Sequence, residues 1–375
     1  MGKPRLPDVE KQEMLDLPML LLTLLLTALG LVMIYSSSFA RALYESGDSA
    51  YYFKRQGIFA LVGTAAMLAI SRVRPELIRK MAFPVLGVSI LFLILVFVPG
   101  IGRAENGATR WVSLGISFQP SEVAKLGVIL SFAAMITRFG ENMETFRWGI
   151  APFAGILAMI VVLLRLEPHN SAIVIIACTA GAMLFLGGVK YRWFILGGCA
   201  MLLGLILILG AGGYEASRIT AWQDPFSDPT DDGYQIIQSL YAIGSGGLFG
   251  LGFGQGRQKY LYLPEEHNDY IFSIACEELG LTGAAAILLL YALLILRGYW
   301  ISMHIRDRFL SLTVAGITTL TALQVFFNIG VVTNLLPSTG ISLPFFSYGG
   351  TALLIQLGEM GIILGASRQC SAGFL

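Results

Sequence analysis

The sequence predicts an all-α polytopic membrane protein with about ten transmembrane helices. Of its 375 residues, 55% are hydrophobic and only 13% are charged, which is about half the charged fraction of a soluble domain. The mean hydropathy is +0.72. The apolar residues form repeated blocks of the ~20 residues that a helix needs to cross a bilayer. These three observations exclude a soluble enzyme, a disordered chain and a coiled coil.

Ten apolar blocks are read as membrane spans. The first five lie near Leu17–Ser36, Gln56–Ser71, Met81–Val98, Gln119–Thr137 and Trp148–Leu164. The other five lie near Asn170–Val189, Trp193–Ala211, Tyr270–Leu296, Phe309–Val332 and Gly350–Ser367. We treat residues 1–375 as one membrane domain, with a cytoplasmic N-terminal tail at 1–16, a large extracytoplasmic loop at 212–269 and a cytoplasmic C-terminal tail at 368–375.

The distribution of charge predicts that both termini face the cytoplasm. In that orientation the short inner segments hold most of the 25 Lys and Arg residues, as the positive-inside rule requires. The loop at 212–269, between helices 7 and 8, is the longest outer segment, and long irregular loops are usually functional. We therefore expect any chemistry to face outward. The net charge of +1 and the lack of a basic stripe argue against a nucleic-acid partner.

Two segments rich in glycine are predicted to be irregular. The run at 244–256 lacks the GxGxxG and GxxxxGK[ST] spacings of phosphate-binding loops, and no strand is predicted before it. We interpret it as flexible backbone against the membrane rather than a nucleotide site. The segment 334–351 is broken by proline and glycine, and irregular backbone at this depth must be buried or line a cavity. We interpret it as a re-entrant packing loop without a direct catalytic part.

Two charged residues lie in the first turns of the fourth predicted span. Pro120 and Ser121 mark the helix start, and Glu122 and Lys125 follow on one helical face. A charge at membrane depth costs about 2.5–3.5 kcal/mol on insertion scales. The pair is therefore expected either to compensate its own charge as a structural feature or to face a polar cavity that binds substrate.

Three carboxylates and an imidazole precede the eighth predicted span, at Glu265, Glu266, His267 and Asp269. The spacing lacks the HExxH arrangement of a zinc site, and no metal-binding residues are assigned. Most clusters of this kind are solvated surface charge. The alternative is a general base, for which Asp269 is the best candidate because partial desolvation beside the apolar span makes a carboxylate more basic.

Five stretches of the chain resemble the SEDS family (shape, elongation, division and sporulation) of RodA, FtsW and SpoVE. They are NGATRW at 106–111, FQPSEVAK at 118–125, QSLYAIGSGGLFG at 238–250, LPEEHNDYIF at 263–272 and LPSTGISLPFFSYGG at 336–350. The resemblance covers essentially the whole chain. It implies a ten-helix peptidoglycan glycosyltransferase that polymerises lipid II at the outer face of the bacterial plasma membrane. The stretch KYLYLP at 259–264 favours the FtsW and SpoVE branch of division and sporulation.

The resemblance also implies which residues do the chemistry. The family's essential aspartate corresponds to Asp269, and the supporting motif residues are Trp111, Glu265, Glu266 and His267. The family's polar cavity for substrate and diphosphate corresponds to Arg110, Gln119, Glu122, Lys125 and Arg218. The chain departs from the family at 167–171, where many members have an acidic residue at the position of His169. A carboxylate role is therefore not carried over to that position.

The implied reaction is an inverting glycosyl transfer. Asp269 takes the proton from the acceptor sugar hydroxyl, and the lipid diphosphate leaves. The resemblance leaves open a divalent cation, Mg²⁺ or Mn²⁺, and implies a class B penicillin-binding protein transpeptidase and other cell-wall assembly proteins as partners. Two alternatives remain at this point: a flippase for lipid-linked precursor, which intramembrane charges and broken helices suit, and a scaffold for the transpeptidase.

Overall fold

The computed structural model describes residues 15–105, 108–113, 115, 117–198, 214–230 and 233–370. The first three helices are α1 (Leu17–Ser46), α2 (Tyr51–Ile70) and α3 (Pro75–Leu95). A small sheet follows, made of β1 (Gly102–Glu105), β2 (Ala108–Ser113) and β3 (Ser117–Phe118). The middle of the chain forms α4 (Pro120–Phe139), a 3₁₀ turn (Gly140–Glu144), α5 (Phe146–Gly149), α6 (Ala151–Leu166), α7 (Asn170–Leu186) and α8 (residues 191–198). The last elements are α9 (Tyr214–Gln223), α10 (Tyr234–Gly246), α11 (Ile271–His304), α12 (Arg308–Val332) and α13 (Gly350–Ser367).

Eight described helical segments are long and apolar enough to cross a membrane. They contain α1 to α4, the α5–α6 unit and α11 to α13, and the apolar α7 is slightly shorter. These helices coincide with nine of the ten predicted blocks. The seventh block, near Trp193–Ala211, lies largely outside the described residues. The chain is therefore a multi-pass membrane protein. The number of ten spans and the cytoplasmic location of both termini stay predictions.

The helices differ in how much of their surface is covered by protein. In α12 and in the segment that contains α4, 78% and 61% of the apolar window is buried, against 22% in α2. Helix α12 packs against α4, α7 and α11, and α13 packs against α2. Helices that expose most of an apolar surface are suited to lipid contact. Consequently α4 and α12 form the centre of the bundle, where polar side chains are shielded from lipid.

A small antiparallel sheet that was not predicted from the sequence precedes α4. Strand β2 pairs with β1 on one side and with β3 on the other. Strand β3 leads through Gln119, the N-cap residue of α4, into Pro120 at the first helical position, where proline is favoured. The sheet therefore fixes the position of Arg110 and Trp111, both in β2, relative to the first turn of α4.

The predicted outer loop is partly helical, since it contains α9 and α10, and its glycine run packs against α11. A Cβ atom on Gly250 would lie 2.1 Å from the carbonyl oxygen of Glu278, and one on Gly280 would lie 2.2 Å from the backbone nitrogen of Gly250. Only residues without a side chain allow such a close approach of two backbones. The run is therefore held against α11 at Gly250, while most of its other residues are exposed, and our interpretation as flexible backbone against the membrane stays a prediction.

Candidate functional site

A polar cavity of about 920 Å³ is lined by residues from α1, α2, α4, α7, α12, α13, the sheet and the loops before α11 and α13. Its lining includes eight of the predicted site residues, namely Arg110, Trp111, Gln119, Glu122, Lys125, Glu265, His267 and Asp269. Glu266 is fully buried behind this lining. Arg218 lies in α9, and its side chain is outside the described part of the chain. The cavity therefore joins predicted site residues from three separate stretches of sequence.

Asp269 lies at the cavity directly before α11 begins. The side-chain amide of Asn328 in α12 donates to the carbonyl oxygen of Asp269 at 2.7 Å and to that of Ile341 at 2.8 Å. One buried amide thus joins the loop that carries Asp269 to the segment before α13. Because a packed helix holds the backbone of Asp269 in this way, its side chain has the fixed position that catalysis requires.

Glu266 anchors this loop to the first helix. Arg41 of α1 donates to both carboxylate oxygens of Glu266, at 2.7 and 2.8 Å, in the bidentate geometry that makes such pairs strong. Burial opposes ionisation of Glu266, but His267 and Arg41 outweigh that effect and hold the pKa of the carboxyl below its usual value. Glu266 is therefore an ionised structural anchor. Sequence reasoning missed Arg41 because it lies beyond the predicted end of the first span.

Glu122 and Lys125 form an ion pair of 2.7 Å, with side chains only 9% and 6% exposed. Both residues also line the cavity. The structure therefore combines the two alternatives that the sequence left open, since the pair compensates its own charge and faces a polar space. Whether the pair binds substrate stays a prediction. Glu359 of α13 is also buried and interacts electrostatically with the pair, and sequence reasoning assigned it no chemistry.

Arg110 and Gln119 extend the cavity toward the turn between α6 and α7. Nη2 of Arg110 donates to the carbonyl oxygen of Pro168 at 2.6 Å. Nε2 of Gln119 lies 3.4 Å from Nε2 of His169, which also lines the cavity. Burial, assisted by Arg110 and Lys125, lowers the pKa of His169 to about 3. At neutral pH this position therefore carries a neutral imidazole.

Glu167 lies in the same turn and is 1% exposed. Neither of its carboxylate oxygens has a hydrogen-bond partner among the described residues. Burial raises the pKa of Glu167 to about 8, and the positive charge of Arg110 opposes this only in part. Glu167 is therefore mostly protonated at neutral pH. It lies outside the lining of the cavity.

A second buried ion pair holds the outer loop, and sequence reasoning assigned no chemistry to its carboxylate. Lys259 lies 2.7 Å from Glu278 of α11, with side chains 3% and 0% exposed, and Ser36 of α1 donates to the same carboxylate at 2.6 Å. The neighbouring Glu277 accepts the backbone N–H of Arg257 at 2.9 Å. These contacts fasten the segment that leads to Asp269 onto two helices.

The described residues do not form a metal site made of protein side chains alone. Within them, no group of three or more His, Cys, Asp or Glu side chains is placed to hold a metal ion. Glu122 and Glu266 each face a cation of the protein already. Mg²⁺ is usually bound by one or two carboxylates together with substrate phosphates and waters, so a divalent cation that binds with the diphosphate stays a prediction, and no metal is assigned a step.

The sequence is similar to known proteins over nearly its whole length. Residues 16–372 match the family model of FtsW, RodA and SpoVE, described as cell cycle protein. Stage V sporulation protein E of Bacillus subtilis (strain 168) is 40% identical over 354 residues, covering 94% of this chain and 97% of that protein. The probable peptidoglycan glycosyltransferase FtsW of Geobacter metallireducens is 40% identical over 364 residues, covering 96% and 97%.

Solved structures share the fold. A chain from a study of the structural coordination of polymerization and crosslinking by a peptidoglycan synthase complex superposes with a TM-score of 0.79 at 27% identity, covering 95% of this chain and 98% of that one. The rod shape determining protein RodA of Thermus thermophilus superposes with a TM-score of 0.70 at 28% identity, covering 95% and 97%. The likeness therefore extends over the whole described bundle.

Proposed function

The chain belongs to the cell cycle protein family of FtsW, RodA and SpoVE, and we propose that it is a peptidoglycan glycosyltransferase that polymerises lipid II at the outer face of the bacterial plasma membrane. A relative that it matches at 40% identity is named as a probable peptidoglycan glycosyltransferase. The observation that carries the proposal is the shared cavity, because Asp269, Arg110 and Lys125 line one polar space. A carboxylate and fixed cations are the groups that glycosyl transfer from a lipid diphosphate requires.

Asp269 acts as the general base. Its carboxylate takes the proton from the 4-hydroxyl of the acceptor sugar while that oxygen attacks the anomeric carbon of the donor. The new bond forms between this oxygen and the anomeric carbon, and the bond from that carbon to the diphosphate oxygen breaks. The lipid diphosphate leaves with the electron pair. One displacement of this kind inverts the anomeric centre.

Arg110 and Lys125 stabilise the charge that develops on the departing diphosphate, together with Arg218. Fixed cations aimed at a developing negative charge lower the barrier most effectively when water is excluded. Two contacts support this assignment. The carbonyl oxygen of Pro168 restrains Arg110, and Glu122 restrains Lys125. Both cations are therefore preorganised around the cavity before substrate binds.

The proposal includes a transpeptidase partner of the class B penicillin-binding protein type. A peptidoglycan synthase complex in which polymerization and crosslinking are coordinated contains a chain of the same fold, which supports this pairing. The sporulation protein and the FtsW proteins among the relatives support the division and sporulation branch over elongation. The transpeptidase crosslinks the new glycan and therefore needs it on the outer side of the membrane. This requirement fits an active site that faces outward.

A polymerisation assay distinguishes this function from a flippase. Detergent micelles have no sides, so a polymerase still converts lipid II into long glycan there, with a partner transpeptidase whose active serine has been replaced. A flippase makes no bond and leaves lipid II unchanged in detergent, but it equilibrates labelled lipid across sealed vesicles. Absence of polymer in detergent, combined with translocation in vesicles that depends on Asp269, would overturn the proposed function.

A further inference from the structure

One side of the cavity carries no residue used in the proposed reaction. It is formed by Tyr51, Tyr52 and Arg55 at the start of α2, together with His267 and Tyr348, and we call these five residues the aromatic platform. We infer that the aromatic platform is a saccharide subsite that holds an N-acetylhexosamine ring in the same cavity as Asp269. The inference rests on the proposed function, because it assigns one part of that substrate to one side of the site.

The four rings of the aromatic platform are packed around Tyr52 as one cluster. The ring of Tyr52 is central, with centroid distances of 5.3 Å to Tyr51, 4.6 Å to His267 and 4.9 Å to Tyr348. Its contacts with Tyr51 and Tyr348 are edge to face, an arrangement that aromatic pairs prefer and that fixes the orientation of each ring. These contacts therefore hold the ring of Tyr52 in place before any ligand binds.

Polar contacts connect the aromatic platform to the loop that carries Asp269. The hydroxyl of Tyr52 donates to Glu45 at 2.5 Å, and Glu45 lies 3.5 Å from Arg41. Arg41 in turn binds Glu266 at 2.7 Å, three residues before Asp269. Polar contacts thus connect the platform to Glu266, which lies in the loop that carries Asp269.

Arg55 gives the platform a polar edge. Its Nη1 donates to the hydroxyl of Tyr51 at 2.9 Å, and its guanidinium lies 5.5 Å from the centroid of the same ring. Both side chains are exposed, with Tyr51 at 37%. A pyranose has apolar C–H faces and a rim of hydroxyl and acetamido groups. An aromatic face beside the donors of an arginine matches both features.

The usual explanation for tyrosines near the end of a membrane helix is an interfacial belt. Tyr44 fits that explanation, since it is 81% exposed and lies outside the cavity lining. The platform does not fit it, because His267 is only 5% exposed and Tyr52 and Tyr348 line a space that also contains charged side chains. Tyr44 therefore provides a matched control within the same part of the chain.

The test measures binding of a lipid-free tetrasaccharide of β-1,4-linked N-acetylhexosamines to the full-length protein in detergent. Tyr51→Ala and Arg55→Gln are expected to weaken binding about tenfold, the factor that loss of one good contact gives. Tyr44→Ala and Arg257→Gln, an exposed arginine of the outer loop outside the lining, are expected to bind as the wild type does. Thermal unfolding identifies any variant that has not folded, and Arg55→Gln serves if Tyr51→Ala does not fold.

A second measurement separates the two sources of the sugar. If the platform holds the growing strand, the two platform variants make shorter glycan while the KM for lipid II is unchanged. If it holds the incoming monomer, that KM rises about tenfold. Unchanged tetrasaccharide affinity together with unchanged KM and product length, in folded platform variants, would overturn the subsite.

The two proposals can fail independently. The variant Asp269→Asn is expected to bind the tetrasaccharide as tightly as the wild type does while losing polymerisation. If that variant polymerises normally, the proposed reaction is wrong, and the tetrasaccharide affinities of the platform variants still decide the subsite. If the folded platform variants keep the wild-type tetrasaccharide affinity, KM and product length while Asp269→Asn is inactive, the subsite alone is wrong.

Discussion

Gly340 lies against the carboxylate of Asp269, so that a Cβ atom built on Gly340 would be 3.1 Å from Oδ2 of Asp269. The backbone of Gly340 has a φ of +64°, in the left-handed region that favours glycine. The loop before α11 and the segment before α13 therefore meet at the proposed base. Part of the latter segment lines the cavity, including Ile341 and Ser347, as expected for irregular backbone at membrane depth, and its lack of a direct catalytic part stays a prediction.

Replacement of Gly340 by alanine is predicted to reduce polymerisation more than stability. The new methyl group would shift the Asp269 carboxylate by a few tenths of an ångström, and because a displacement of about 1 Å can cost about 100-fold in rate, we expect a smaller loss, of about tenfold. Gly188→Ala is the control, because Gly188 also has a positive φ, +89°, but no atom within 4 Å of its ideal Cβ position. Initial rates and thermal unfolding of both variants are compared. Equal rates would show that the contact with Asp269 has no functional effect.

Breaking the Glu122–Lys125 pair is predicted to destabilise the protein. Glu122→Gln leaves a buried lysine without its partner, which typically costs about 3–5 kcal/mol. The double variant Glu122→Gln, Lys125→Met should recover stability but not polymerisation, since Lys125 is also needed for the diphosphate. Thermal unfolding and the polymerisation assay are measured on the same samples. Full activity of the double variant would make the pair purely structural.

The exposed pair of Arg79 and Asp307 provides the control for that experiment. Its two side chains are 48% and 37% exposed, and exposed pairs contribute about 0–1 kcal/mol. Arg79→Met should therefore change the unfolding temperature little and leave polymerisation as it is. A loss as large as that of Glu122→Gln would mean that burial does not explain the effect at Glu122.

Glu278→Gln is predicted to loosen the outer loop. The change weakens the buried pair with Lys259, and a buried charge without its partner costs about 3–5 kcal/mol. Hydrogen exchange of the backbone at 250–260 should therefore accelerate. Lys54→Met breaks an exposed pair with Asp48, whose side chains are 64% and 44% exposed, and should leave that exchange unchanged. Equal protection in the wild type and Glu278→Gln would contradict the anchoring role.

Stability is predicted to fall as the pH rises from about 6.5 to about 8. The pKa of Glu167 is about 8 in the folded protein against an ordinary value of 4.5. Between these values the folded state holds a proton that the unfolded chain has released, so rising pH favours unfolding. His169 has the opposite effect only between its folded pKa of about 3 and its ordinary value of 6.5. Above pH 6.5 the effect of Glu167 is therefore unopposed by His169.

The variant Glu167→Gln tests this pH dependence, because its amide does not titrate. The unfolding temperature of the wild type should decline relative to that of Glu167→Gln as the pH rises through this window, and the difference should become constant above pH 8. Parallel curves from pH 6.5 to 9 would mean that the Glu167 carboxyl has an ordinary pKa in the folded protein.

The positions of the helices could be predicted from sequence because membrane thickness fixes the length of an apolar span. The proximity of Glu122 and Lys125 was also predictable, since residues three apart share one face of a helix. The sheet at 102–118 was not predicted, because its strands are short and contain no apolar block. Hydropathy cannot distinguish such strands from an irregular loop.

The tertiary contacts of the site were beyond the reach of sequence reasoning. Arg41 and Glu266 are 225 positions apart, and Ser36 and Glu278 are 242 apart. No local pattern connects residues at such separations. A signal was nevertheless present, because a charged residue at the end of an apolar helix needs a partner. Arg41 and Glu278 each predicted such a partner, but only the structure shows which residue it is.

The central claim is that Asp269 is the general base of glycan polymerisation. The most direct measurement is the rate at which detergent-purified Asp269→Asn protein, with a partner transpeptidase that lacks its active serine, converts lipid II into glycan. Asp228→Asn, an exposed aspartate of the outer loop, is the matched control and should keep the wild-type rate. Removal of a general base typically costs about two to four orders of magnitude, and that loss is predicted for Asp269→Asn. A near-wild-type rate from folded Asp269→Asn protein would contradict the account.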